Sequence, residues 1–191
     1  SALFSFTLNN VLSEDRGGTS LVREELKDAP FYRIRQPNEV LASLNQRFQA
    51  SPEAMLYFTI AYGVINSRIG SVTLSQAGHP PPLWLKCSDR RVEQVPGGGV
   101  PVGMMPDMSY ESVTLQFQPG DRLFLYSDGI TECENEVGEQ FGEQRLMSLL
   151  EAGCKDELKT LVDRVETEIV KWNGGDGFDD DVTYLILEWQ P

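Results

Sequence analysis

Two acidic segments of the chain carry the residue types that could perform chemistry. The first is Tyr126-Ser127-Asp128-Gly129, in which an apolar stretch from Leu123 runs directly into an aspartate followed by glycine. The second runs from Gly174 to Thr183 and places three consecutive aspartates, Asp179 to Asp181, before another apolar stretch. A carboxylate at a strand end is held firmly while its oxygens reach solvent. Two such ends in one sheet could converge on a hard divalent cation such as Mg²⁺ or Mn²⁺.

Each segment also has a plainer interpretation. An Asp-Gly pair is most often a turn, and an acidic run after glycines is most often a solvated loop. The EF-hand calcium loop is excluded, because the sixth position counted from Asp128 or from Asp176 is not glycine. Residues 97–99 lack the Lys-Ser/Thr of a phosphate-binding P-loop, and the sequence contains no GxSxG elbow. The carboxylates therefore belong either to a cation site or to solvated turns.

The single histidine, His79, lies in the segment Ala77-Gly78-His79-Pro80-Pro81-Pro82, where the prolines restrict the backbone. Its imidazole could contact a phosphate, or it could simply hold the loop in place. One histidine excludes zinc sites that need two imidazoles, and three widely spaced cysteines predict neither a disulfide framework nor a CxxC metal site. Any metal ligands should therefore be oxygens, and the cysteine content fits a reducing cytosol.

The composition is that of a globular protein. The chain has 191 residues, of which 40% are hydrophobic and 24% charged, and we expect one domain over residues 1–191. Its net charge of -13 would repel nucleic-acid phosphates and anionic lipid. No apolar run approaches the roughly 20 residues that span a bilayer, and the N-terminus lacks the basic region of a signal peptide. We therefore expect a cytoplasmic protein that binds neither nucleic acid nor membrane.

Hydrophobic periodicity indicates the order of the elements. Helices are predicted near residues 4–12, from Pro37 through Phe48, over Glu143 to Ala152 and over Asp156 to Trp172. A hairpin is predicted around the turn Asn66 to Gly70. Further short strands are predicted over residues 83–86, 91–95, 110–117, 123–127 and 182–187. Because strands and helices are segregated along the chain, the pattern favours an α+β layered domain.

Six segments of the chain together carry a family resemblance. They are residues 77–83, Pro101-Val102-Gly103, residues 119–123, residues 126–132, Phe141-Gly142 and Asp180-Asp181-Val182-Thr183. In order and spacing these segments resemble the bacterial SpoIIE/RsbU-type serine phosphatases of the metal-dependent, type-2C superfamily. The resemblance implies a sandwich of two antiparallel β-sheets flanked by helices, with a pair of Mn²⁺ or Mg²⁺ ions at one end of the sandwich.

The resemblance also assigns candidate site residues. Asp128 matches the family's metal-binding aspartate, followed by Gly129, which would let a ligand approach the backbone closely. Asp180 matches the first aspartate of the family's DDxT segment, and the resemblance makes Asp128 and Asp180 the expected catalytic pair. Asp181 is the weaker metal candidate, although a register error of one residue would exchange it with Asp180. His79 is the candidate for substrate binding.

The implied activity is that of a protein serine/threonine phosphatase, with metal-activated water attacking the phosphate and no covalent phosphoenzyme. The implied substrate is a phosphorylated regulatory protein such as an anti-sigma-factor antagonist. An upstream receiver or sensor domain, as in RssB-like response regulators, would connect the reaction to bacterial signal transduction and sigma-factor regulation. The alternative function is a catalytically silent phosphatase-fold adaptor that binds a sigma-factor regulator.

One part of the family pattern is not found in this sequence. The family's Gly-Asp strand and its Asp-x-x-Gly-His-Gly segment should lie just before Ser1. We therefore expect the chain to lack its first strands and one half of the metal site. Asp128 and Asp180 alone would then be too few ligands to hold Mg²⁺ firmly, because this ion binds weakly through few carboxylates.

Overall fold

The computed structural model describes residues 20–49, 57–175 and 181–190. These residues fall into two compact units. The first unit contains the described residues of Ser1–Ile65, together with Val72–His79 and Gly97–Thr114. The second contains Asn66–Ser71, Pro80–Pro96 and the described residues of Leu115–Pro191. The helix predicted near residues 4–12 lies outside the described residues.

Strands and helices follow one another in an α+β order. In chain order the strands are β1 (Arg23–Glu25), β2 (Tyr32–Ile34), β3 (Ile60–Asn66), β4 (Ser71–Ala77), β5 (Leu83–Lys86), β6 (Arg91–Gln94), β7 (Ser112–Gln116), β8 (Arg122–Tyr126) and β9 (Tyr184–Glu188). The helices are α1 (Pro37–Phe48), α2 (Asp128–Thr131), α3 (Glu143–Ala152) and α4 (Leu158–Trp172). No helix among the described residues is both long enough and apolar enough to cross a membrane.

Helix α1 supplies the core of the first unit. It begins with Pro37, as predicted, because the missing N–H of proline costs nothing at the first helical position. Strands β3 and β4 are the predicted hairpin, and they form a sheet in the order β3-β4-β7. The apolar side of α1 is buried in a cluster of Val40, Leu41, Leu44, Ala77, Val102 and Tyr110. The antiparallel pair of β1 and β2 was not predicted from the sequence.

The second unit packs two helices on an antiparallel sheet of order β6-β5-β8-β9. Helix α3 contacts β5, β6 and α4. The helix positions that face this core are Leu146, Leu150, Leu161, Val165 and Ile169, all of them predicted from their helical spacing. The antiparallel sheets and segregated helices confirm the predicted α+β class.

Arg122 lies buried in the second unit and joins three of its segments. Its Nε atom donates a hydrogen bond of 2.7 Å to Glu188 on β9. Its terminal nitrogens donate to the carbonyl oxygens of Gly153 and Asp156, at 3.4 and 2.5 Å. Because Asp156 is engaged in this way before α4, the helix begins at Leu158 and not at Asp156 as predicted. The ion pair with Glu188 and the two carbonyl hydrogen bonds together offset the free-energy cost of burying the guanidinium group.

Candidate metal centre

Asp128 is the first residue of the one-turn helix α2, immediately after β8. Gly129 and Ile130 of this helix are buried, and Ile130 belongs to the core of the second unit. The side chain of Asp128 itself is exposed. The carboxylate is therefore carried by an anchored backbone and remains open to solvent, as the sequence predicted for a strand end.

The backbone of Asp181 lies directly against Gly129. A Cβ atom on Gly129 would lie 2.7 Å from the carbonyl oxygen of Asp181, so this close approach requires glycine. Ser127 completes the connection, since its Oγ donates a 2.9 Å hydrogen bond to the same carbonyl oxygen. The N–H of Thr183 donates to Ser127 Oγ at 3.0 Å, and the N–H of Ser127 donates to the carbonyl of Thr183 at 2.8 Å. The segment around Asp181 thus contacts the backbone on both sides of Asp128, at Ser127 through hydrogen bonds and at Gly129 through close packing.

Of the other candidate residues, the structure describes His79 but not Asp180. Asp180 lies outside the described residues, so its role stays a prediction. His79 belongs to the first unit, where it is half-buried just after β4. The preceding Gly78 donates its N–H to the carbonyl of Gly99 at 2.7 Å, and a Cβ on Gly78 would meet Pro101 at 2.6 Å. The backbone before His79 is therefore held against the Pro101-Val102-Gly103 segment.

Two tyrosines near the ends of β8 and β9 bind carboxylates of the helices. The hydroxyl of Tyr126 donates to Glu143 at 3.2 Å, and that of Tyr184 donates to Glu166 at 3.1 Å. Burial raises the pKa of Tyr126 above its usual range, and burial together with the Glu166 hydrogen bond raises the pKa of Tyr184 to about 12. Both phenols therefore stay protonated near neutral pH and act as hydrogen-bond donors that attach helices to the sheet.

The sequence profile of the Stage II sporulation protein E (SpoIIE) family matches residues 17–190. The chain belongs to the SpoIIE family. Among the relatives of this SpoIIE-family chain, Protein IcfG from Synechocystis sp. is 32% identical over 132 residues, which are 69% of this chain and 20% of that protein. Phosphoserine phosphatase RsbU from Bacillus subtilis is 27% identical over 152 residues, 79% of this chain and 44% of that protein. The chain thus spans less than half the length of either relative.

Solved structures establish the fold of this SpoIIE-family chain. The SiaA-PP2C domain of Pseudomonas aeruginosa superimposes with a TM-score of 0.72 at 18% identity, covering 82% of this chain and 62% of that one. The family and the PP2C-type α+β fold predicted from the sequence are both confirmed. Phosphatases of the PP2C type are metal-dependent.

The donor chemistry of the SpoIIE-family site suits a hard cation. Asp128 and Asp181 are both exposed carboxylates, and oxygen ligands are those that Mg²⁺ and Mn²⁺ prefer. Because Gly129 has no Cβ, the backbone of Asp181 can approach it closely. Across residues 20–49, 57–175 and 181–190, no group of three or more His, Cys, Asp or Glu side chains could hold a metal ion.

Ser127 is the residue of this junction to which the sequence analysis gave no role. Serine directly before a helix usually caps it, which is the signal that could have drawn attention to this position. Its hydroxyl is used instead to bridge Asp181 and Thr183, more than fifty positions away in the chain. A bridge to so distant a segment depends on the sheet pairing of β8 with β9 and is not visible in local sequence.

Proposed function

We propose that this chain is the catalytic part of a metal-dependent phosphoserine phosphatase. The observation that carries the proposal is the junction at Gly129, where the Asp181 backbone is held beside Asp128 by a contact that requires glycine and by the hydroxyl of Ser127. Membership of the SpoIIE family supports it, as does a relative named as a phosphoserine phosphatase. An exposed carboxylate on an anchored backbone is suited to binding a hard cation.

Asp128 and Asp180 would hold Mn²⁺ or Mg²⁺, with Asp181 and Gly129 beside them. When bound, such ions would supply Lewis-acid stabilisation of phosphoryl charge and an activated water at neutral pH. Asp128 would bind from the start of α2, whose buried Ile130 keeps the aspartate in place. Ser127 would act as a positioning residue, because its hydroxyl donates to the Asp181 carbonyl and so holds the backbone of Asp181 beside Asp128.

The substrate that fits this reaction is a phosphoserine on a small regulatory protein, such as an anti-sigma-factor antagonist in the bacterial cytoplasm. His79 would take part in substrate binding, since an imidazole can donate to a phosphate oxygen and its backbone is held by Gly78. A receiver or sensor domain elsewhere in the protein would control the reaction. These assignments follow the resemblance to RsbU and the oxygen-only donors of the site.

The test uses the full-length protein that contains this chain, a phosphoserine peptide and Mn²⁺. We expect Asp128→Asn to reduce phosphate release by roughly 100-fold or more, because metal activation contributes several kcal/mol to such reactions. The matched control is Asp89→Asn, which removes the same charge from an exposed turn between β5 and β6 of the same unit. This control should retain full activity.

Two outcomes would overturn the proposal. Full activity of the Asp128→Asn protein would exclude Asp128 as a metal-binding catalytic residue. Absence of Mn²⁺-dependent phosphate release from the wild-type protein, with retained binding of the phosphorylated regulatory protein, would favour the adaptor function.

A further inference from the structure

Two cysteines that are distant in the sequence meet in the second unit. Cys87 directly follows β5, and Cys154 follows Gly153 at the end of α3. They are 67 positions apart in the chain, and their sulfur atoms lie 2.6 Å from each other. Their residues are 8% and 2% exposed, respectively. The wide spacing of the cysteines in the sequence gave no indication of this pair.

The two buried cysteines lie beside a surface pocket of about 330 Å³. Both cysteines line it, together with the positively charged Arg122 and Lys155 and with Glu188, whose carboxylate is paired with Arg122. Burial, together with the hydrogen bond to Cys154, raises the pKa of the Cys87 thiol to about 12. The negative charge of Asp121 acts in the same direction, and the positive charge of Arg122 offsets only part of the shift. A small oxidant in this pocket would lie next to both cysteines, while the thiolate stays scarce at neutral pH.

We propose that Cys87 and Cys154 are an oxidation site that forms an intramolecular disulfide with a peroxide. One thiol loses its proton, and its sulfur attacks a peroxide oxygen, which breaks the O–O bond and gives a sulfenic acid and hydroxide. The second thiol then displaces the sulfenic oxygen, which leaves as water when the S–S bond forms. The two thiols lose two protons and two electrons, and the peroxide is reduced to two waters.

The disulfide would connect the end of β5 to the end of α3. The loop it closes contains α2 with Asp128, and cross-links across long loops restrict the unfolded chain. We therefore expect the oxidised protein to unfold at a temperature roughly 5 to 10 °C higher than the reduced protein. Oxidation should be slow near pH 7 and faster toward pH 9, because the reactive species is the thiolate.

The experiment treats the full-length protein with hydrogen peroxide, quenches the peroxide, and alkylates the remaining thiols before peptide mass spectrometry without reductant. The expected result is a cross-linked peptide containing Cys87 and Cys154, which dithiothreitol releases. Cys133→Ser is the matched control, since Cys133 is also 8% exposed but is not among the residues that line the pocket. This variant should still form the cross-link, and Cys154→Ser should not.

The wild-type protein alone decides the outcome, so the test does not depend on the folding of a variant. Complete alkylation of Cys87 and Cys154 after peroxide treatment at pH 9 would overturn the proposal. A cross-link from either residue to Cys133 in place of the Cys87–Cys154 pair would overturn it as well.

Discussion

The carbonyl oxygen of Asp181 lies 2.7 Å from the point that a Cβ on Gly129 would occupy. Real Cβ atoms do not approach a carbonyl oxygen so closely, so only glycine permits α2 to meet the backbone that precedes β9 here. The residue next to the candidate metal ligand Asp128 thus determines how closely the backbone of Asp181 approaches. The contact between Gly129 and Asp181 consequently holds the Asp181 backbone close to the proposed metal ligand Asp128.

Replacing Gly129 by alanine should move the backbone of Asp181 away from α2. We expect Gly129→Ala to lower the free energy of unfolding by about 1–3 kcal/mol, as overpacking of buried positions does, and to reduce phosphate release strongly. Urea denaturation and the phosphoserine assay measure the two effects. Gly120→Ala is the control, because Gly120 has a φ of 86° and open space around it. It should lose stability through backbone strain and keep its activity, whereas normal activity of Gly129→Ala would contradict this account.

Removing the hydroxyl of Ser127 should loosen the Asp181 segment without removing a carboxylate. We expect Ser127→Ala to raise the Mn²⁺ concentration needed for half-maximal activity several-fold and to destabilise the protein by about 1 kcal/mol. Ser127→Thr should restore metal affinity, since it keeps the hydroxyl. Ser148→Ala, which removes a hydroxyl bound only within α3, should leave the metal requirement unchanged. An unaltered Mn²⁺ requirement in Ser127→Ala would show that the bridge is merely structural.

The ion pair of Arg33 and Glu39 should make the first unit sensitive to acid. Two hydrogen bonds of 2.8 Å from Arg33 hold the pKa of Glu39 at about 2, below its ordinary value of 4.5. Because the pKa of Glu39 is lower in the folded than in the unfolded chain, its ion pair stabilises the fold fully above about pH 4.5. This stabilisation is lost as the pH falls toward 2. The pair is partly exposed, so screening by solvent should keep its contribution to stability small.

Glu39→Gln tests this pH dependence. In urea denaturation at pH 7 the variant should have a lower free energy of unfolding than wild type. The difference between the two free energies should narrow as the pH is lowered from about 5 to 3. A difference that stays constant over this range would show that the carboxylate charge of Glu39 does not contribute to stability.

Metal removal should stop catalysis and leave the fold intact. The two hydrophobic clusters of the units consist of apolar side chains and cysteines, while Asp128 and Asp181 are exposed. EDTA should therefore abolish phosphate release without changing the far-UV circular dichroism, and excess Mn²⁺ should restore activity. Loss of helical signal on chelation would indicate that the metal has a structural role.

The sequence predicted the elements whose signals are local. Helix α1 was recognisable from Pro37 and its apolar spacing, and α3 from its apolar positions and the stop at Gly153. The three-residue strands β1 and β2 were missed because they are mostly exposed and too short to show alternation. Helix α2 was missed because one turn of helix has no periodicity.

The candidate site could be predicted only in part. The two acidic strand ends were expected to converge, with Asp128 and Asp180 as the catalytic pair. The backbone of Asp181 lies against Gly129 and accepts from Ser127, whereas Asp180 lies outside the described residues and its role stays a prediction. The bridge made by Ser127 depends on the pairing of β8 with β9, and the meeting of the two thiols depends on packing of α3 against the sheet. Tertiary contacts of this kind leave no pattern in neighbouring residues.

The most direct test of the metal centre is a titration of the full-length protein with Mn²⁺, followed by electron paramagnetic resonance of the free ion. Wild type and Asp89→Asn should bind Mn²⁺ with equal affinity, and Asp128→Asn should bind it at least about tenfold more weakly, because a charged ligand oxygen has been removed. Equal Mn²⁺ affinity of wild type and Asp128→Asn would contradict the assignment of Asp128 as a metal ligand.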